Sequence, residues 1–174
     1  LGADDAFDRA IREDEGFALA HIGRARLHQL NMQGAEARAM AAHARQLAAA
    51  ASPRERQHVD VMAAVIEGQP KLAVTAAEQH LDEYPRDAQV LSMLLGAFGL
   101  YAFSGRPDHD AARLAVCERV ASHYGEDWWF TGYLGWSHTE AGNHGTGRAL
   151  SERAVELRSA NANAAHGLSH AMFE

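Results

Sequence analysis

The sequence predicts an all-α fold, a right-handed solenoid of stacked helical hairpins, on three observations. Four glycines, Gly34, Gly68, Gly105 and Gly142, fall 34, 37 and 37 residues apart, and a period of about 20–50 residues is typical of repeat arrays. The apolar residues between these glycines recur at helical spacing. Alternating β-branched runs and Asn-Gly or Asp-Gly turns, which are typical of strands and hairpins, are absent from the sequence.

The glycines divide the chain into one leading helix, four helical hairpins and one trailing helix that begins near Asn161. We expect these elements to form a single repeat domain over residues 1–174. In hairpin one, Gly34 is expected to end the first helix by adopting the left-handed conformation of a C-cap. In hairpin two, Ser52 is expected to cap the first helix, with Pro53 in its first turn and Glu55 completing a capping box.

The two later hairpins are delimited by similar signals. For hairpin three we expect one helix from Asp87 to Ser104 and a second from about Asp108 to His123. For hairpin four the expected helices run from Asp127 to Ala141 and from about Thr146 to Arg158. Asp127 is expected to cap its helix through the carboxylate. One of the two following tryptophans then packs into the interior, while the other is available as an exposed anchor.

Composition limits the function. The 174 residues are 47% hydrophobic and 22% charged, which is typical of a globular protein. The net charge of −7 argues against nucleic-acid binding, which requires a concentrated basic face. No apolar run approaches the ~18–20 residues of a membrane span. Cys117 is the single cysteine, so no disulfide can form within the chain, and we expect it to be a buried helix residue. A cytoplasmic protein is expected.

A hairpin repeat near 34 residues with small residues at helix contacts resembles the tetratricopeptide repeat. Five phrases carry a closer resemblance, to the bacterial members of the tetratricopeptide repeat protein thirty-eight family. They are FALAHIGRA (17–25), SPRERQHV (52–59), FSGRPDH (103–109), YGEDWWF (124–130) and NAAHGLSHAMFE (163–174). The resemblance implies an all-helical repeat fold and carries over no catalytic residue. Proteins of that family are longer, and the last helix here lacks a polar capping helix. We therefore expect this chain to be part of a longer one.

In tetratricopeptide-like stacking the first helix of each hairpin lines a concave groove. We predict that this groove binds a protein segment or peptide, without catalysis and without a cofactor. A homo-oligomer formed through the exposed end helices is a further interpretation. The residues expected to line the groove are Arg24, His28, His58, Tyr101, Trp129, Trp136, Glu140, His166 and His170.

The histidines support a second interpretation, a metal-binding protein or an enzyme with a histidine-rich site. His166 and His170 are four residues apart, so both rings lie on one face of a helix and can bind one zinc ion. His138 is the candidate third ligand. The metalloprotease pattern also needs a glutamate directly after the first histidine, and Gly167 stands there.

Overall fold

The computed structural model describes residues 2–96 and 98–173, and every regular element in those ranges is helical. The predicted all-α class is confirmed, and the number of α-helices in these ranges is the predicted ten. A 3-10 turn at Ala121–His123 follows the seventh helix. The α-helices of these ranges are α1 (Ala3–Glu13), α2 (Ala18–Leu30), α3 (Gly34–Ala48), α4 (Pro53–Ile66), α5 (Pro70–Glu83), α6 (Ala88–Leu94), α7 (His109–Val120), α8 (Trp128–Glu140), α9 (His144–Leu157) and α10 (Ala162–Phe173).

The helices form two compact units, unit 1 (Leu1–Tyr84) and unit 2 (Pro85–Glu174). In unit 1, α2 packs against α1, α3 and α4, and α4 packs against α5. In unit 2, α8 packs against α7, α9 and α10 and so occupies the centre of that unit. The single domain expected over residues 1–174 stays a prediction. Among the described helices, none has both the length and the apolar character needed to span a membrane.

Alanine makes the close contacts of unit 1. Ala37, Ala41, Ala44 and Ala48 recur every three or four residues along α3, and all four are buried. Because a methyl side chain adds little width, the helices that pack on α3 can approach it closely. The start of α4 is as predicted: the Ser52 N–H donates to Glu55 Oε2 at 3.1 Å, and Ser52 Oγ accepts from the Glu55 N–H at 3.3 Å.

Three hairpin turns share one pattern of hydrogen bonds, centred on Met32, Gly68 and Gly142. In each, the central residue's N–H bonds the carbonyl three residues earlier, and the next N–H bonds the carbonyl five residues earlier. The central residues have φ of 61°, 73° and 86°. The expectation that Gly34 provides the left-handed conformation is therefore wrong, because Met32 provides it and Gly34 begins α3. The left-handed positions Met32, Gly68, Gly105 and Gly142 are spaced 36, 37 and 37 residues apart.

The two helices of hairpin four, α8 and α9, are in close contact at a glycine. A Cβ atom added at Gly147 would lie 2.1 Å from Thr139 Oγ1 and 2.8 Å from the carbonyl oxygen of Gly135. Both distances are far below van der Waals contact, so only glycine permits this approach of α9 to α8.

Hairpin three departs from the prediction. Its first helix ends at Leu94 rather than Ser104, because Leu95 is extended and Gly96 has a φ of 88°. The chain then turns back on itself: the Leu100 N–H bonds the Met93 carbonyl at 2.8 Å. A Cβ at Gly99 would lie 2.0 Å from the Leu95 carbonyl oxygen, so this turn requires glycine. The helical apolar pattern continues through the segment, but these close backbone contacts replace the helix.

Candidate functional site

The central helix of unit 2 begins at a well-defined cap. Asp127 Oδ1 accepts hydrogen bonds from the backbone N–H groups of Trp129 and Phe130, both at 3.0 Å. This confirms the predicted cap. Because a carboxylate at this position satisfies free N–H groups of the first turn, it fixes the direction in which α8 starts. The neighbouring tryptophan, Trp128, lies under the guanidinium of Arg158 at 4.1 Å.

From this cap a continuous line of aromatic and histidine rings crosses unit 2, which we call the ring row. Successive ring centroids are 6.1, 5.1, 6.5, 6.3 and 4.6 Å apart. The members on α8 are spaced four and three residues apart and therefore share one face of that helix. The row consists of Tyr124, before α8, then Trp129, Tyr133 and Trp136 on α8, and His166 and His170 on α10.

The ring row is accessible in part. Trp129 and Tyr133 are half-buried, and His166 is exposed. Trp136 is only 4% exposed, so it supports the row from below rather than offering a free indole. The accessible rings belong to α8 and α10, the helices that were expected to contribute Trp129, Glu140, His166 and His170 to a groove. Tyr133 was not among the predicted residues, although its spacing from Trp129 places it on the same face.

Beneath the row lies a buried arginine with incomplete hydrogen bonding. The guanidinium of Arg113 lies 4.6 Å from the Trp136 ring and is paired with Asp110, and its side chain is only 3% exposed. Arg113 Nε and Nη1 and Trp136 Nε1 are buried without a protein hydrogen-bond partner. An unsatisfied buried donor is unfavourable by about 1–3 kcal/mol. These nitrogens belong to two side chains in contact with each other, and all of them are shielded from solvent in the free protein.

The other predicted groove residues do not join this row. Arg24 is paired with Asp4 and Asp8 of α1, at 2.9 Å from the latter, and His28 Nδ1 lies 2.7 Å from Gln33 Oε1. His58 and Tyr101, which were also predicted to line the groove, are buried in the interior.

A cavity in unit 1 was not anticipated from the sequence. It has a volume of about 430 Å³ and lies beside α4 and α5. Its polar wall includes a hydrogen-bonded chain in which His80 Nδ1 lies 3.0 Å from Gln57 Oε1, and Gln57 Nε2 donates to Glu83 Oε1 at 3.3 Å. Asp60 and Asp82 also line the cavity, and with Glu83 they give it an acidic character.

The structure brings together two of the three histidines predicted to bind zinc. Nε2 of His166 and Nε2 of His170 are 3.0 Å apart, and Nδ1 of His170 lies 2.8 Å from Oε1 of Glu140. His138 instead lies next to Asn143, with 3.4 Å between its Nδ1 and the amide nitrogen. Within residues 2–96 and 98–173, no three or more His, Cys, Asp or Glu side chains are grouped to hold a metal ion.

The single cysteine is a buried helix residue, as predicted. Burial raises the pKa of the Cys117 thiol to about 11, against a smaller opposing effect of its contact with Ser137 Oγ at 3.5 Å. A thiol with so high a pKa is almost entirely protonated near neutral pH, so Cys117 is a poor nucleophile in the folded protein.

Comparison with known proteins identifies the fold. The structure is similar to the crystal structure of YrrB, a tetratricopeptide repeat protein with an unusual peptide-binding site. The TM-score is 0.56 and the sequence identity 17%, over 94% of this chain and 80% of that chain. The chain therefore has a tetratricopeptide-like fold. Neither a protein-family model nor a curated protein sequence matches it.

Proposed function

We propose that the ring row of unit 2 binds a protein segment, and that the protein acts as a tetratricopeptide-type binding module. The observation that carries the proposal is the row itself. Five rings on α8 and α10 continue from Tyr124 in one row, and the accessible ones include Trp129 and Tyr133. Tryptophan and tyrosine contribute most of the binding energy in many interfaces, because each buries a large surface with few rotatable bonds.

N–H groups without a partner lie directly beneath this apolar surface. Arg113 and Trp136 present N–H groups that lack partners within the chain. Because these N–H groups are buried, an oxygen of a bound segment reaches them only if the rings above them move apart, and it would then relieve the cost of their burial. Such an arrangement, rings for contact area and a few buried donors for orientation, is typical of sites that bind a ligand specifically.

The proposal draws support from the fold but does not depend on it. The similar protein YrrB has a peptide-binding site, and helical repeat folds commonly bind extended segments along one face. The net charge of −7 favours a protein partner over a nucleic acid. The proposed module is cytoplasmic, performs no catalysis and belongs to the bacterial family that the sequence resembles.

The experiment is a selection of peptides from a random-peptide phage library on the full chain, followed by fluorescence polarisation with each selected peptide. We expect Trp129→Ala to weaken binding by about thirtyfold, the ~2 kcal/mol typical of a hot-spot aromatic. The matched control is Trp128→Ala, because Trp128 is the adjacent residue but packs on Arg158 outside the row.

Two results would overturn the proposal. One is a selection that yields no peptide above background. The other is an equal loss of affinity in the Trp128→Ala and Trp129→Ala variants, which would indicate general damage to α8. Sedimentation analysis of the free protein tests the remaining interpretation, that a second copy of the chain occupies the row.

A further inference from the structure

The end of the ring row is a pair of histidines at the helical spacing that a metal chelate uses. His166 and His170 are one turn apart on α10, and their Nε2 atoms face each other at 3.0 Å. Two ligand nitrogens bound to one metal at about 2.1 Å lie about 3.0 Å apart when the angle at the metal is near 90°. The two nitrogens are held close by a hydrogen bond between the rings, so an ion that replaces this bond meets both ligands within one turn of α10.

A carboxylate fixes the tautomer of one of these rings. The Nδ1–H of His170 donates to Glu140 Oε1 at 2.8 Å, across from α10 to α8. With its proton held on Nδ1, His170 presents the lone pair of Nε2 toward His166. Histidines that bind metals commonly donate their other N–H to a carboxylate in this way, which orients the ring and raises its basicity.

We propose that His166 and His170 chelate one divalent late transition metal through their Nε2 atoms, with Glu140 as the positioning residue. A site with two protein nitrogens and open positions suits square-planar or tetragonal Cu²⁺ and Ni²⁺, whereas Zn²⁺ is usually held by three or four protein ligands. Water or an outside ligand completes the coordination. This site shares the last two members of the ring row with the proposed peptide site, but metal binding here does not require a peptide. It differs from the predicted zinc site, because Glu140 takes part and His138 does not.

The binding step changes a tautomer. In the free protein the Nε2–H of His166 donates to the Nε2 lone pair of His170. The metal replaces that proton, which moves to Nδ1 of the same ring, so that both Nε2 lone pairs face the ion. His166 is exposed, so the ion can reach the site from solvent.

The neighbouring tryptophan provides an internal reporter. The ring of Trp136 lies 6.3 Å from that of His166. Cu²⁺ and Ni²⁺ quench indole fluorescence at short range, so binding at this pair is expected to lower the emission of Trp136. A Trp136→Phe variant is expected to remove that part of the quenching and to leave the heat of metal binding in place.

The test is isothermal titration calorimetry of the full chain with Ni²⁺, repeated with Zn²⁺. We expect one Ni²⁺ per chain, bound more tightly than Zn²⁺. His166→Ala and His170→Ala are each expected to lose at least about tenfold in affinity, and Glu140→Gln about tenfold, the lower end of the usual effect of a positioning carboxylate. His138→Ala is the matched control and should change the affinity by less than about twofold.

The proposal would be overturned by an unchanged Ni²⁺ isotherm in both the His166→Ala and His170→Ala variants. It would equally be overturned by a loss in His138→Ala as large as theirs, which would indicate a three-histidine site, or by tighter binding of Zn²⁺ than of Ni²⁺. If His170→Ala lowers the melting temperature, the His166→Ala variant decides, because that side chain lies on the surface.

Discussion

Unit 1 and unit 2 are built from the same helical hairpin but differ in how their buried polar groups are satisfied. Among the described residues of unit 1, one buried side-chain atom lacks a hydrogen-bond partner, His21 Nδ1. The other nitrogen of that ring bonds the Glu15 carbonyl. In the described part of unit 2, six side chains carry such atoms: His109, Arg113, Tyr124, Trp136, His144 and Ser151. A fold can carry such groups where something outside it completes them. This difference, together with the ring row, is why we propose a binding surface in unit 2.

The two units also differ in the length of two corresponding helices. Helix α4 of unit 1 has 14 residues, whereas α6 of unit 2 has seven. After α6 the chain makes a tight turn, in which Gly96 lies near Trp136, and leaves Phe98 and Phe103 exposed and stacked 6.3 Å apart. A regular hairpin buries its apolar face and satisfies its polar groups. The interrupted one does neither completely.

The largest expected effect concerns the packing within unit 2. Gly147→Ala places a Cβ atom 2.1 Å from Thr139 Oγ1 and 2.8 Å from backbone, so we expect it to lower the free energy of unfolding by about 3 kcal/mol. Gly145→Ala is the matched control, because it lies on the same helix with open space around it, and it should stabilise by about 0.5–1 kcal/mol. Urea unfolding followed by circular dichroism measures both. Equal stabilities would show that the glycine contacts are not needed.

The next effect is a loss of stability in alkali that originates in unit 2. The folded pKa of Cys117, about 11, lies above its ordinary value of 9.0, so the folded state holds the proton more tightly. The resulting stabilisation is present below pH 9 and is lost as the pH rises toward 11, by up to about 2–3 kcal/mol. Urea unfolding at intervals between these pH values measures the loss.

The matched variant for this prediction is Cys117→Ser, which has no thiol to ionise. The difference in unfolding free energy between wild type and variant should shrink from pH 9 to pH 11. A difference that stays constant would contradict the raised pKa. Burial also raises the pKa of Tyr124, to about 12, so both proteins lose further stability above pH 10.

The smallest expected effect compares equivalent turns. Met32 adopts a left-handed conformation with its side chain 91% exposed, where Gly68 and Gly142 occupy the same position in their hairpins. Met32→Gly removes this strain without loss of packing and is expected to stabilise by about 1 kcal/mol. Gly68→Ala should destabilise by a similar amount, because a Cβ is introduced at φ 73°. Thermal melts compare the two. A destabilised Met32→Gly variant would contradict the assignment of the turn.

The sequence predicts the elements whose signals are local and misses those that depend on packing. Ser52 and Asp127 determine helix starts through their own side chains, and both starts are confirmed. The predicted end of the first helix of hairpin three, Ser104, was wrong because the apolar pattern continues past Leu94. Only the contacts of Gly96 and Gly99 reveal the turn.

The site shows the same division. Helical spacing predicts four members of the ring row on α8 and α10: Trp129, Trp136, His166 and His170. The same spacing could also have identified Tyr133, which was not predicted. The burial of Arg113 over Trp136, residues 23 positions apart, depends on how α7 meets α8. An arginine in a helical pattern is expected to be solvated, so no local signal identifies it. The pairing of Glu140 with His170 likewise requires the contact of α8 with α10.

The central claim, that the binding surface lies on the ring row of unit 2, is tested most directly by hydrogen exchange. The full chain is measured by mass spectrometry with and without a peptide from the phage selection. We predict slower exchange in α8 and α10 on binding, with α2 to α5 unchanged. Slower exchange confined to α2 to α5, with α8 and α10 unaffected, would contradict the account.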